Sequence, residues 1–170
     1  MANRRNHYEA AFESYLRSRF IPYIPSLETH RCCLSNGETL KNFDFIVSQP
    51  GHPSLLVDIK GRLFPGGQNH KSYWKQWTTQ DDLAGLKLWE SILGSEFLGY
   101  FVFAYLVTGN RSPVPPSQLF RFRKRDYAFI GIKLDDYLKE ARMISPRWQT
   151  LSIPASKFKI LAKSFDDLLM

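Results

Sequence analysis

Asp44, Asp58 and Lys60 are the residues of this 170-residue chain whose types and spacing best suit chemistry. They lie in the stretch FDFIVSQPGHPSLLVDIKGR, residues 43–62. Phe43–Ser48 and Leu55–Lys60 read as two short strands, rich in aromatic, β-branched and other apolar residues. Between them, Gln49-Pro50-Gly51-His52-Pro53-Ser54 is a cluster of chain breakers. Side chains alternate faces along a strand, so Asp58 and Lys60 point the same way. A hairpin folded symmetrically about Gly51 sets position 44 opposite position 58, because each is seven residues from that glycine. Directly opposed like charges destabilise a sheet. Two such carboxylates need a cation, a shared proton or a bound metal. A hard divalent ion with oxygen ligands is the simplest answer.

Other elements must hold that hairpin. Residues 6–19 have apolar side chains at helical spacing: Tyr8, Ala11, Phe12, Tyr15 and Leu16. Asn6 and Glu9 suit a capping box. Glu9 and Glu13 are four apart and share a face, although glutamates early in a helix also suit its dipole without any chemistry. Phe20–Ile24 reads as a first strand, with Pro22 placing it at an edge. Glu28–Cys33 reads as its continuation, and Ser35-Asn36-Gly37-Glu38 as a turn. Gly61–Tyr73 reads as a loop broken by Pro65-Gly66-Gly67. Its Arg62, His70 and Lys71 suit phosphate contact.

A second helix starts at Thr78 or Thr79 and stops at Gly94. Leu83, Leu86, Trp89 and Leu93 form its apolar stripe, and Asp81 and Asp82 suit its first turn. Trp74 and Trp77, just before it, are expected to pack on the sheet rather than stack on bases. Gly99–Val107 is the buried central strand, and Thr108–Ser117 a proline-rich loop. In Leu119–Arg125 aromatics alternate with cations, which fits either phosphate contact or a solvated hairpin limb. Tyr127–Ile132 is a further strand and Leu134–Arg142 a helix. Thr150–Ile153 reads as a short strand, followed by a terminal segment around Phe165–Leu169. A single domain over 1–170 is expected, with a core at about 6–133 and an extension over 134–170.

Composition narrows the partners. With 44% hydrophobic residues and 15% aromatics, the chain is a folded globular protein. Its 23 Lys and Arg against 16 acids give +7, which favours a polyanion and nucleic acid before membrane. Cys32 and Cys33 are the only cysteines; adjacent, they suit a reducing compartment rather than a disulfide. The opening MANRRNHYEA has no apolar signal core. The longest apolar run, Phe97–Val107, is too short to span a bilayer. A cytoplasmic location and no membrane association are expected.

The order helix with glutamate, strand, hairpin with Asp44 and Asp58-Ile59-Lys60, helix, strand resembles the PD-(D/E)xK nuclease superfamily. Within it, the archaeal-type Holliday junction resolvases are the nearest branch. The resemblance covers about residues 6–108, and Phe43 stands where the usual proline would be. It implies a restriction-endonuclease-like three-layer α/β/α fold with a mixed central sheet. It also implies metal-dependent hydrolysis of DNA phosphodiesters, at branched or repair intermediates. Asp44, Asp58, the Ile59 carbonyl and Glu9 would then hold Mg²⁺ (or Mn²⁺), and Lys60 would serve the attacking water. Glu13 stays open as the alternative helix carboxylate.

Lys41, Arg62, Lys71 and Lys75 would guide the nucleic-acid backbone, and Arg121 and Arg123 are further phosphate contacts. RNA stays open as the substrate, and a homodimer is the assembly such resolvases suggest. HYEAAFE, residues 7–13, is similar to the motif of the HYExAFE proteins, which makes His7 and Tyr8 worth testing. Two other classes remain. One is a nucleic-acid binder on a nuclease-like fold without turnover. The other is a protein-interaction module in which Asp58 and Lys60 form an ordinary ion pair.

Overall fold

The computed structural model describes residues 6–27, 29, 31–67 and 74–170. Glu28, His30, His70 and Lys71 therefore lie outside the described residues, and so does the expected strand or loop structure at those positions. The chain opens with helix α1, His7–Ser18. Asn6 caps it by accepting from the Tyr8 amide, which satisfies one of the orphan N–H groups of the first turn. Edge strand β1, Tyr23–Pro25, follows. The small hairpin of β2, Cys32–Cys33, and β3, Thr39–Leu40, comes next. Gly37 makes its turn with φ +83°, a conformation that suits glycine.

Strands β4, Phe45–Val47, and β5, Ser54–Phe64, form the central hairpin. Phe45 pairs with Val57, Ile46 with Leu56 and Val47 with Leu55, so continuing the register sets position 44 against position 58. Strand β5 is longer than expected. Gly61–Phe64, read as the start of a loop, continues the strand. The reason is its neighbour β7, Phe97–Val107, which pairs parallel with all eleven residues of β5. Between them the chain passes through β6, Thr78–Thr79, and helix α2, Gln80–Leu93. Thr79 caps α2 by accepting from the Asp82 amide.

Strands β8, Phe120–Phe122, and β9, Arg125–Lys133, form a hairpin, turned by Arg123 and Lys124 at positive φ. Helix α3 spans Leu134–Glu140 and ends sooner than expected. Arg142 begins strand β10, Arg142–Ser145, which pairs with β11, Thr150–Ser152. Helix α4, Ala155–Leu161, strand β12, Lys163–Ser164, and helix α5, Phe165–Leu168, complete the chain. The main seven-stranded sheet runs β1-β4-β5-β7-β9-β12, with β8 also on β9, and only β5 and β7 are parallel. A second sheet runs β10-β11-β6.

Alternation along the strands splits the core in two. Leu55, Val57 and Ile59 face α1 and α5, with Phe12, Tyr15, Leu16 and Phe165 fully or nearly fully buried there. Leu56, Phe101 and Phe103 face α2, α3 and α4, with Leu83, Leu86, Tyr137 and Phe158. This is the three-layer arrangement of a sheet covered on both faces. Trp74 packs at the edge of the second cluster. Trp77 does not join it; it stays 37% exposed, beneath the Arg62 guanidinium at 3.9 Å.

One close approach fixes the first turn of α1. The Tyr8 ring lies directly over Gly61, where any Cβ would collide with it. Gly61→Ala is expected to destabilise the protein by about 1–3 kcal/mol, as overpacking does. In a thermal melt that is a loss of roughly 2–12 °C for a chain of this size. An unchanged melting temperature would show that Tyr8 moves aside at no cost.

Candidate active site

The sheet opens where β4 begins. Asp44 lies just before β4, and its amide donates to the Val57 carbonyl at 2.8 Å. Its Oδ2 accepts from the Ile59 amide at 2.6 Å. The carboxylate is thus anchored to the strand that carries Asp58 and Lys60. A cleft of about 220 Å³ here is lined by Glu9, Arg31, Lys41, Asn42, Phe43, Asp44, Asp58, Ile59 and Lys60. Helix α1 brings Glu9 to it, because Phe12, Tyr15 and Leu16 pin the following turns to the sheet.

Asp58 and Lys60 share one face of β5, and Lys60 Nζ lies 2.8 Å from Asp58 Oδ1. The same ammonium lies 2.7 Å from Asp82 Oδ2. Asp82 also pairs with Lys41 and accepts from the Thr78 hydroxyl at 3.2 Å. Helix α2 is docked tightly enough to hold this cluster. Trp89 Nε1 donates to the Lys41 carbonyl at 2.9 Å, and Gly85 packs against that same carbonyl.

The charges set the proton affinities. Burial lifts the Asp44 carboxyl well above the ordinary carboxylate value, and Asp58 and Glu9 push it further. Burial also lifts Asp58; Lys60 opposes this while Asp82 adds to it. For Lys60, burial favours the neutral amine, but Asp58 and Asp82 outweigh it and the ammonium holds its proton more tightly than usual. Burial works against the Asp82 carboxylate too. Lys60 and Lys41 outweigh it and hold Asp82 far below the usual carboxylate range.

Asp44, half-buried, and Asp58, buried, are therefore two neighbouring carboxylates whose like charge Lys60 offsets only in part, next to a strand carbonyl and an open cleft. That donor set is all hard oxygen and fits a hard divalent ion. Among the described residues no group of three or more His, Cys, Asp or Glu side chains is placed to hold a metal ion. An ion here would draw its remaining ligands from water or phosphate, as Mg²⁺ does.

The other expected positions are scattered. Glu13 is buried and accepts from the Tyr23 hydroxyl at 2.9 Å, against β1 rather than in the cleft lining. His7 Nδ1 lies 2.9 Å from the Tyr127 hydroxyl, and burial followed by Arg125 lowers its proton affinity. Lys41 lines the cleft. Arg62 turns inward and donates to the carbonyls of Gly61 and Trp77 at 2.8 and 2.5 Å. Lys75 is exposed and its stem lies over Gly66. Arg121 pairs with Asp126 at 3.0 Å, and Arg123 lies over Phe122 at 4.9 Å. Both sit on the β8–β9 hairpin, three strand spacings or roughly 14 Å from β5.

Asp82, Thr78 and Arg31 belong to this site without having been singled out for it. Asp82 carried a signal. It stands four residues before Leu86, on the apolar stripe of α2, where an unpaired acid has no place.

The central mixed sheet with helices on both faces is a restriction-endonuclease-like fold. A solved structure of Hjc, a Holliday junction resolvase from the archaeal hyperthermophile Archaeoglobus fulgidus, is similar over 96% of this chain and 98% of its own, with a TM-score of 0.57 and 12% identity. The chain matches no family model and no curated protein sequence. The HYExAFE likeness therefore rests on residues 7–13 alone. Among the described residues no helix is long and apolar enough to cross a membrane.

Proposed function

We propose that this chain is a divalent-metal-dependent endonuclease of the PD-(D/E)xK type, acting on DNA and suited to branched or repair intermediates. The observation that carries the reading is the convergence of Glu9, Asp44, Asp58 and Lys60 on one cleft. The fold shared with a Holliday junction resolvase supports it, and so does the charge of +7.

Asp44 and Asp58, with the Ile59 carbonyl, would hold Mg²⁺ or Mn²⁺, and Glu9 would hold one of the ion's waters. A bound divalent ion lowers the pKa of its water and offsets charge on the phosphoryl group. The protein supplies position and electrostatics. Lys60 stays an ammonium between Asp58 and Asp82. It therefore orients the attacking water and stabilises developing negative charge rather than removing a proton. Asp82 acts through Lys60: it holds the ammonium from behind, and Lys41 and Thr78 hold Asp82. Lys41 and Arg31 at the cleft would meet the DNA backbone, with Lys75 and the Arg121–Arg123 hairpin further out. Two copies of the chain would suit paired cuts in a symmetric substrate.

The decisive assay is Mg²⁺-dependent cleavage of linear, flapped and four-way DNA, with Asp58→Ala beside the unaltered protein. A loss of about three orders of magnitude is expected, since such an ion contributes several kcal/mol to the transition state. Undiminished cleavage by Asp58→Ala would remove Asp58 from the chemistry. Binding without cleavage by the unaltered protein would favour a non-catalytic DNA binder.

A further inference from the structure

We propose that the β10–β11 hairpin is a stacking arm that binds unpaired nucleotides beside the catalytic cleft. Its attachment comes first. Thr150 and Leu151 of β11 pair with Thr79 and Thr78 of β6. The Gln149 carbonyl accepts from the Gln80 amide at 2.9 Å, at the first residue of α2. Thr78 in turn donates to Asp82. The hairpin is thus fastened to the end of α2 that holds Lys60. Trp148 stands in the turn, three residues along the chain from Leu151, the partner of Thr78, so it lies within roughly 11 Å of Leu151.

The surface of the hairpin differs from an ordinary turn. Trp148 is 68% exposed, Ile144 58% and Met143 47%. Tryptophan is usually well buried, because its ring carries a large hydrophobic payload. The Arg147 guanidinium lies 5.1 Å from the centre of the Trp148 ring. Arg142 and Arg147 are both exposed, and neither is paired with a carboxylate among the described residues.

Chemistry selects the occupant. An apolar patch alone would fit another protein surface. An open indole with one uncompensated guanidinium over it and a second at the base of the same hairpin fits a chain of anions bearing flat rings. Bases stack on aromatic side chains while arginines meet the phosphates. In a duplex the base faces are already stacked on each other, so the arm selects unpaired nucleotides. The proposal rests on the nuclease reading only for where the strand is cut; the binding itself is measured without metal.

Fluorescence anisotropy in EDTA, with labelled single-stranded, flapped and blunt duplex DNA, tests it. Trp148→Ala is expected to weaken single-strand and flap binding about tenfold and to leave duplex binding unchanged, with Trp148→Phe retaining most of the affinity. The double variant Arg142→Ala/Arg147→Ala is expected to weaken single-strand binding and flatten its log–log salt slope by about 1.4. Circular dichroism confirms the fold of each variant. Equal single-strand affinity in Trp148→Ala, equal losses on single strand and duplex, or no single-strand binding by the unaltered protein overturns the proposal. A change in self-association with unaltered DNA affinity assigns the patch to a second copy and overturns it as well. Trp148-dependent binding in a protein that never cleaves leaves the arm standing and removes only the nuclease reading.

Discussion

Asp44→Asn is expected to abolish Mg²⁺-dependent cleavage and to raise the melting temperature of the metal-free protein. The substitution keeps the shape of the side chain, and the amide oxygen can still accept from the Ile59 N–H. What it removes is a half-buried negative charge near those of Asp58 and Glu9. The Asp44 carboxyl titrates above its ordinary value in the fold, so between that value and the raised one the folded state binds more protons than the unfolded state. Stability then falls as pH rises through the window, and the whole cost is present above it. Asparagine carries no such cost. Relief of opposed like charges is worth on the order of 1 kcal/mol, or about 2–4 °C in a melt. The gain should be small at about pH 4 and grow as pH rises toward neutrality. Melts in EDTA across that range, beside a cleavage assay, check both halves. Retained cleavage, or a lower melting temperature near neutrality, would contradict the assignment.

Asp82→Asn is expected to act in the opposite direction on stability. Asp82 is 5% exposed and carries the charge that Lys60 and Lys41 share. Its carboxyl titrates far below the usual range, so it stabilises the fold above its unfolded pKa, and that contribution is lost only as pH falls through the depressed value. Removing one member of a buried ion pair costs about 3–5 kcal/mol, or roughly 6–20 °C. Cleavage should fall about 100-fold in kcat with little change in KM, because Lys60 is then held by Asp58 alone and its help in the transition state is lost. A readout independent of cleavage is acylation of Lys60 by an amine-reactive reagent, followed by mass spectrometry. Lys60 should be protected in the unaltered protein and labelled in Asp82→Asn. Equal labelling and an unchanged kcat would remove Asp82 from the site.

These two residues also show what the sequence could and could not reveal. The register around Asp44 was legible, because the chain breakers at Pro50 and Gly51 leave one symmetric way to close the hairpin. Strand β5 buries both faces, so the turn rather than an alternation of apolar and polar positions sets that register. The signal at Asp82, its place on the apolar stripe of α2, was masked because an acid in the first turn of a helix is common on dipole grounds. Its burial depends on Lys60, which the chain delivers from another strand. The end of β5 was hidden for a similar reason. Gly61-Arg62-Leu63-Phe64 leads into Pro65-Gly66-Gly67 and has the look of a loop, but pairing with β7 carries the strand through it. Arg62 accordingly turned out to be an internal strut where a phosphate contact was expected. The short elements from β10 to α5 carry little periodicity of their own and take their shape from the sheet and helix they join.

The packing of α1 has a consequence for synthesis. Phe12 and Tyr15 enclose Phe165, and Asp166 accepts from the Tyr15 hydroxyl at 3.0 Å and pairs with Arg19 at 3.1 Å. The helix bearing Glu9 is therefore clamped by residues that leave the ribosome more than 140 positions later. The sheet face of α1 can pack on Phe45 and Phe129 earlier, but its last supports, Phe165 and Asp166, arrive only when translation has almost reached the end of the chain.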